Sequence, residues 1–417
     1  MADATAQWIS RRTGVAPDAS LRRIVVTLGL VAAELPDADL VYSGRVVGLG
    51  PLGYLLHHRG HTHTVLFAVG AALLMWWLAL FFRRRSASET DVRERQLERM
   101  PLLVLCVAGT LSHVLLDYSN SYGVHPFWPI DNRWFYGDWV FIVEPWLWAF
   151  AIPPLLFGPR RSWSRALLTF LLIAILVAAW RLGEMTPRLA LAVTIGAIAW
   201  LALQRWIPAS RRVFAGVAAW CLIESVFVIS SAQAKSTLRK ALPRGERVDD
   251  IVATPGAGNP FCFAVLVVST TDTDYRVRSA MVAPWPAAQR ASAPPKHACR
   301  ARINRLSLSS LENVQSIQSR STDAVSWGEE WAAPLAEARA LSATRCEFAY
   351  ALRFMRVPVW RREANGAVYL SDARFGVGVS GFSNLAIAEG PCPYPSSAWI
   401  PPWTPPRAAL LESRPTS

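Results

Sequence analysis

The sequence predicts a mainly α-helical fold, in which a multi-span helical membrane domain is followed by a soluble, β-rich α+β domain. The chain of 417 residues is 52% hydrophobic and only 18% charged, and it contains 19 Trp, a balance typical of membrane proteins. The long apolar runs all lie before residue 231, and short strand-like runs follow. The formal charge of +13 lies largely in arginines beside apolar runs, which favours membrane topology over nucleic-acid binding.

The apolar segments define a membrane domain over residues 24–232, after a polar cytoplasmic segment over residues 1–23. The first segment, 24–35, is shorter than the roughly 20 residues that cross a bilayer, so we expect a short or half-buried helix that ends in carboxylates. Pro101 is expected in the first turn of its helix. The later segments lie at 65–82, 101–118, 139–157, 166–182, 189–203 and 213–230.

Arginine predicts the orientation in a bacterial inner membrane. The loops at 1–23, 83–99, 158–165 and 205–212 together carry sixteen arginines, whereas the loops between them carry five. Because positive loops stay in the cytoplasm, we expect a multi-pass protein whose histidine and aspartate clusters face the extracytoplasmic side. The C-terminal domain, residues 235–417, is then extracytoplasmic as well.

Within this C-terminal domain, short strands are predicted at 265–268, 275–282 and 346–354, with some helix near 320–340. Asn365-Gly366 between two apolar runs indicates a β-hairpin. Cys262, Cys299, Cys346 and Cys392 are able to form two disulfides on an oxidising side of the membrane, and buried free thiols are the alternative.

Five of the seven histidines fall in two places, 57–63 and position 113, each at the end of an apolar segment. On a helix, His113 and Asp117 share one face, where they could hold a metal or simply hydrogen-bond each other. His58 and His63 fit a loop ligand followed by a ligand in a first helical turn, with Gly60 allowing the bend. We interpret His57 and His61 as loop residues or as residues that support the ligands.

Acidic residues complete a candidate metal centre. Asp37 and Asp39 follow Pro36 in what we expect to be an extended turn, and a solvated Pro-Asp turn is the alternative. Further acidic candidates are Glu34, Asp138 and Glu144, of which Glu144 is expected either to pair with an arginine or to act in catalysis. Imidazoles with carboxylates suit zinc, and also manganese or iron, better than calcium.

Several motifs together resemble the YdjM-type inner-membrane, metal-dependent hydrolase family. They are Leu35-Pro36-Asp37-Ala38-Asp39, His58-Arg59-Gly60-His61-Thr62-His63, Leu111-Ser112-His113 with Leu116-Asp117, Tyr122-Gly123 and Trp128-Pro129. The resemblance covers roughly residues 24–150 and implies a membrane-embedded metal hydrolase. It implies that the metal ligands are His58, His63, His113 and Asp117, and that Asp37 and Asp39 are the next candidates. The chain departs from the family at Thr64, where serine is common, and at Glu144, where many relatives have aspartate.

The leading functional hypothesis is a hydrolase of a phosphoester or other ester, lipid-like because the site lies at headgroup depth. A divalent metal is able to acidify water and polarise the ester oxygen. We expect Asp37 or Asp39 to serve as base or ligand and Arg59 to hold an anionic group. The alternative is a non-enzymatic scaffold or partner-binding protein with a structural metal; a transporter is a weaker third interpretation. The bilayer is the expected partner, and nucleic acid is not.

Overall fold

The computed structural model describes residues 2–14, 16–44, 47–86, 92–158, 162–243, 245–285, 306–378 and 381–411. Over these ranges a helical N-terminal part is followed by antiparallel sheets, which confirms the predicted fold class. The helices of the first part are α1 Ala2–Thr13, α2 Ala19–Glu34, α3 Leu40–Ser43, α4 Pro51–His57, α5 Val65–Ser86, α6 Val92–Ser119, α7 Pro145–Leu156, α8 Ser162–Arg181, α9 Pro187–Leu203 and α10 Ala209–Ala241.

Four helices of the described ranges, α5, α6, α8 and α10, are long and apolar enough to cross a bilayer. The segments predicted at 139–157 and 189–203 form the shorter apolar helices α7 and α9. The prediction for Pro101 is wrong, because α6 begins at Val92 and carries this proline inside the helix. Helix α7 begins only at Pro145, where Glu144 is the N-cap and accepts a hydrogen bond from the Trp146 amide.

Helices α1, α2, α5 and α6 pack into one apolar core, so the polar N-terminal segment is a helix packed on the membrane domain. Ile9 of α1, Val25 of α2 and Leu105 of α6 are all buried in this core. At Gly109 of α6, an added Cβ would lie 2.6 Å from the Ala32 Cβ, so only glycine permits this approach of α2. The close contact brings the end of α2 beside His113, one turn further along α6.

The C-terminal part contains a five-stranded and a three-stranded antiparallel sheet. The first has the order β1-β2-β3-β5-β4 and the second the order β6-β7-β8, and two helices, α11 Leu335–Thr344 and α12 Cys346–Ala351, follow β5. The strands are β1 Val248–Gly256, β2 Asn259–Thr270, β3 Asp274–Val282, β4 Gln315–Ser316, β5 Val325–Pro334, β6 Pro358–Arg362, β7 Val368–Asp372 and β8 Asn384–Ile387.

The sequence predicted most of these elements correctly. The strands at 265–268 and 275–282 and the hairpin at Asn365-Gly366, which joins β6 to β7, are confirmed. The strand predicted at 346–354 is wrong, because α12 begins there. The helix predicted near 320–340 begins only at Leu335, after strand β5. Cys346 and Cys392 form a disulfide, whereas Cys299 lies outside the described residues.

A buried charge network joins the C-terminal part to the loop after α6. Arg356 donates to both carboxylate oxygens of Asp138, at 2.7 and 2.9 Å, and also to Asp250 of β1. Lys235 of α10 lies 2.8 Å from Asp138, whose side chain is fully buried. Close by, Arg374 donates to the carbonyls of Ser121 and Tyr122. The loop after α6 is therefore held by α10 and by the C-terminal part together.

Candidate metal centre

The two aspartates of the first motif lie in a 3-10 helix, Leu35–Asp39, that continues directly from α2. This corrects the predicted extended turn, and Pro36 suits the first helical position because it needs no donor there. The tighter helix places both carboxylates beside His63. Asp37 Oδ1 lies 3.4 Å from Nε2 of His63, and Asp39 Oδ2 lies 3.3 Å from its Nδ1.

The bend between His58 and His63 differs from the one predicted. Arg59, rather than Gly60, has the left-handed backbone conformation, with φ 58°. Gly60 is required for another reason, since an added Cβ would lie 2.9 Å from the His57 carbonyl oxygen and 3.0 Å from the Trp403 ring. A non-glycine residue in this conformation is strained and is found most often at functional sites.

Four donor atoms meet between the end of α2, the start of α5 and the last turns of α6. They are Asp37 Oδ1, His63 Nε2, His113 Nε2 and Asp117 Oδ2, and all lie within 4.8 Å of one another. Three of the separations are 3.4 Å and the fourth, between His63 and Asp117, is 2.9 Å. A tetrahedron with bonds of about 2.05 Å has edges of about 3.3 Å, so the spacing fits a four-coordinate metal such as zinc.

Three of these donor atoms have no hydrogen-bond partner. Among the described residues, His63 Nε2, His113 Nε2 and Asp117 Oδ2 are buried and form no hydrogen bond, although the two imidazole nitrogens lie 2.9 and 3.4 Å from Asp117 Oδ2. Buried polar atoms are rarely left without a partner, because the loss of water costs about 1–3 kcal/mol for each atom. A shared cation would satisfy all three at once, and the residues present therefore fit a divalent metal.

The opposite ring nitrogens of both histidines are held by acceptors. His113 Nδ1 contacts the Ala33 carbonyl oxygen, which can only accept, so this nitrogen carries the proton and leaves the Nε2 lone pair free. His63 Nδ1 contacts the Asp39 carboxylate and lies 3.1 Å from the Thr62 hydroxyl. Such partners orient imidazole ligands and raise their basicity in known metal sites.

His58 and Asp39 contact each other and lie beside the four donors. His58 Nδ1 is 3.0 Å from Asp39 Oδ1, and Asp39 Oδ2 accepts from the Arg59 amide and the Thr62 hydroxyl. Burial alone would raise the pKa of Asp39, but His58 and His63 outweigh burial and lower it to about 2. Asp39 is therefore an anion, and its carboxylate holds the loop in place. Together with Asp37, these two residues also form a second group that could hold a cation.

His63 is the centre of this arrangement. Burial alone would lower its pKa, but the surrounding carboxylates outweigh burial and raise the pKa to about 9. Among the carboxylates, Asp117 raises the pKa of His63 most, followed by Asp37 and Asp39. The site thus concentrates negative charge around one imidazole, which is the electrostatic condition for holding a cation.

Arg59 joins the metal centre to its surroundings. Its Nη2 lies 2.8 Å from Asp117 Oδ1, the oxygen that faces away from the other donors, and its Nη1 donates to the Asn120 side chain. The guanidinium also lies over the Tyr122 ring at 4.7 Å. The guanidinium of Arg59 therefore orients the Asp117 carboxylate.

The remaining sequence candidates lie elsewhere. His57 contacts the Trp399 carbonyl oxygen, and His61 packs against three tryptophans. Both histidines therefore contribute to the packing of this loop. Glu144 accepts from the Gly258 amide, and Asp138 belongs to the buried charge network. Sequence reasoning missed Thr62 and Asn120; their positions, within the histidine motif and directly after α6, were the available signal.

Replacing Asp39 with asparagine should weaken metal binding by roughly 10–100-fold, the usual cost of losing a carboxylate that orients an imidazole ligand. The reason is that an amide accepts less strongly from His63 and His58 than a carboxylate does. Metal affinity measured by competition with a coloured chelator checks this. Unchanged affinity would show that Asp39 does not support the site; Asp131→Asn, at an aspartate that pairs with Arg133 outside the metal centre, is the control.

These features define a class of protein: a multi-helix membrane protein with two imidazoles and two carboxylates gathered at one end of its helices. Residues 1–185 match the family model described as the YdjM inner membrane protein. The match confirms the resemblance indicated by the motifs and includes all of helices α1 to α8, whereas the sheets lie outside it. No curated protein and no solved structure matches the chain.

Proposed function

We propose that the protein is a membrane-embedded, metal-dependent hydrolase of a phosphoester or other ester, acting at the outer face of the inner membrane. The observation that carries the proposal is the convergence of His63, His113 and Asp117 with unpaired, buried donor atoms beside Asp37. Asp37 is the open side of the centre, since its side chain is 35% exposed while that of His63 is fully buried.

The residues of the chain would divide the work as follows. His63, His113 and Asp117 would hold the metal, which when bound supplies Lewis acidity toward a phosphoryl or acyl oxygen. Asp37, half-exposed at the open side, would either complete the ligand set or accept a proton from water. Arg59 would hold an anionic group of the substrate while it keeps Asp117 in place.

Apolar surface beside the open side supports a lipid-like substrate. Leu40 and Val41, directly after the 3-10 helix with Asp37, are exposed, and so are Leu115 and Leu116 of α6 beside Asp117. Exposed apolar residues at the end of a membrane helix contact acyl chains or the headgroup boundary. An ester at this depth would reach the centre without leaving the bilayer.

The orientation is also part of the proposal. The distribution of arginines supports a multi-pass topology with the metal centre and residues 235–417 outside the cytoplasm. Helices α5 and α6 support the same side for all four donors, because α5 begins just after His63 and α6 ends just after Asp117.

The test is hydrolysis by the full-length protein in nanodiscs, measured with a panel of phosphodiester and carboxylic ester lipids. Treatment with a chelator should reduce the rate to background, and zinc or manganese should restore it. His63→Ala should be inactive under all three conditions, whereas His61→Gln, two positions away, should behave like the wild type. A stoichiometric metal with no hydrolysis across the panel would contradict the proposal.

A structural metal in a non-enzymatic scaffold is the second candidate, favoured by the count of four protein donors. Structural zinc sites are closed by four protein ligands, whereas catalytic sites keep one position for water. X-ray absorption of the metal-loaded protein separates the two. A water oxygen in the first coordination sphere supports the hydrolase, and four protein ligands without water support the scaffold.

A further inference from the structure

A cavity of about 300 Å³ lies next to the metal centre, between the membrane domain and the C-terminal sheets. Its walls combine residues of α4 and the loops around 58, 120 and 140 with residues of β1 and β2 and with Arg374, Phe375 and Phe382. The four donor residues of the metal centre do not line it, whereas His58, of the second group that could hold a cation, does. Arg59 lines it too, and it is the residue that contacts Asp117, so the cavity and the metal centre share this side chain.

The polar end of the cavity is cationic. Arg59 is 8% exposed, and its Nε is buried with no hydrogen-bond partner among the described residues. The two terminal nitrogens of the guanidinium are occupied by Asp117 and Asn120. A buried guanidinium with a free donor is a site for an anionic oxygen. The other arginine of the cavity, Arg374, is already held by Asp372 and backbone carbonyls.

The rest of the wall is mainly apolar and extends to exposed residues beside helix α7. Phe141 and Ile142 contribute from the membrane side, and Ala264, Phe375 and Phe382 contribute from the C-terminal part. Ile142 lines the cavity yet is 52% exposed, and the adjacent Val143 is 50% exposed. Both precede the apolar helix α7, which begins at Pro145. The apolar end of the cavity therefore opens beside the start of the apolar helix α7.

We propose that this cavity binds the hydrocarbon chain of an anionic amphiphile, whose head lies at Arg59 beside the metal centre. The inference rests on the proposed function for naming this amphiphile as the substrate, and it makes the C-terminal part a determinant of specificity. A cavity of this volume is at the small end of ligand pockets and has room for about ten water-sized groups. It fits one chain of about ten carbons.

Binding of alkyl phosphates to the full-length, metal-free protein in nanodiscs tests the inference. Affinity should rise roughly fourfold with each methylene, as expected for about 0.8 kcal/mol per buried CH₂, and level off near ten carbons. Inorganic phosphate and an uncharged decyl glucoside should each bind at least tenfold more weakly than decyl phosphate. A decyl phosphate carrying a terminal diazirine should label the segments around 141 and 382.

Two exposed isoleucines provide matched variants. Ile142→Glu places a carboxylate at the apolar opening and should weaken decyl phosphate binding at least tenfold, whereas Ile130→Glu, at a 95% exposed position outside the cavity, should leave binding unchanged. Equal affinities along the chain-length series, or equal effects of both variants, would overturn the inference.

The metal-free design separates this inference from the proposed function. Chain-dependent binding without ester hydrolysis by the metal-loaded protein would support the cavity assignment and contradict the hydrolase. Hydrolysis of soluble esters without chain-dependent binding would support the hydrolase and overturn the cavity assignment.

Discussion

Replacing His113 with alanine should yield a protein that no longer retains metal through purification. Among the described residues His113 supplies one of the four converging donor atoms, and its Nε2 is one of the three of these four that are buried without a hydrogen bond. The loss should exceed the roughly 10–100-fold cost of removing a residue that merely orients a ligand. Elemental analysis of the protein in nanodiscs measures the metal content directly.

His61→Gln is the control for this experiment, because His61 is a half-buried loop histidine that packs against tryptophans rather than joining the four donors. It should retain one equivalent of metal. Full retention of metal by the His113 variant would show that the four atoms do not form the binding site. An unchanged thermal unfolding midpoint of metal-free wild type and variant would confirm that both fold.

Asp138→Asn should destabilise the junction with the C-terminal part by about 3–5 kcal/mol, the usual cost of removing one partner from a buried ion pair. The Asp138 carboxylate is fully buried and contacts both Arg356 and Lys235. Asparagine tolerates the left-handed backbone of this position, φ 64°, so the effect reports the charge rather than the conformation. Native-state hydrogen exchange of β1 and β6 amides measures the loss.

The matched control is Arg133→Ala in the same loop. Arg133 pairs with Asp131 at the surface, where water screens the interaction, and its removal should leave exchange at β1 and β6 unchanged. If Asp138→Asn were as mild as this control, the buried network would not hold the two parts together.

Much of the fold was predictable because hydropathy reports burial in the bilayer directly. The failures have identifiable causes. Residues 346–354 form a short apolar run, which periodicity cannot assign to helix or strand; in the structure Phe348 and Leu352 are buried four positions apart, as on a helix face. Pro101 suggested a helix start, but the helix continues before it through the charged residues 92–100.

The sequence predicted which residues form the candidate site better than it predicted how they are arranged. Local spacing placed His113 and Asp117 on one face, and the structure shows their facing atoms 3.4 Å apart. Spacing could not show that Asp37 joins the other three donors while His58 contacts Asp39, since that depends on a 3-10 helix rather than an extended turn. Nor could it pair Arg356 with Asp138, because 218 residues separate them.

Helix α10 links the membrane domain to the C-terminal sheets and limits how far the two can be separated. At about 1.5 Å per residue its 33 residues span about 50 Å, well beyond the roughly 30 Å of bilayer hydrocarbon. Ala234 and Leu238, near its end, are buried in the same core as Phe263 and Val265 of β2. A protease that cut between α10 and β1 would release a sheet with a bare apolar face, so the domain could not be shed in a stable, water-soluble form.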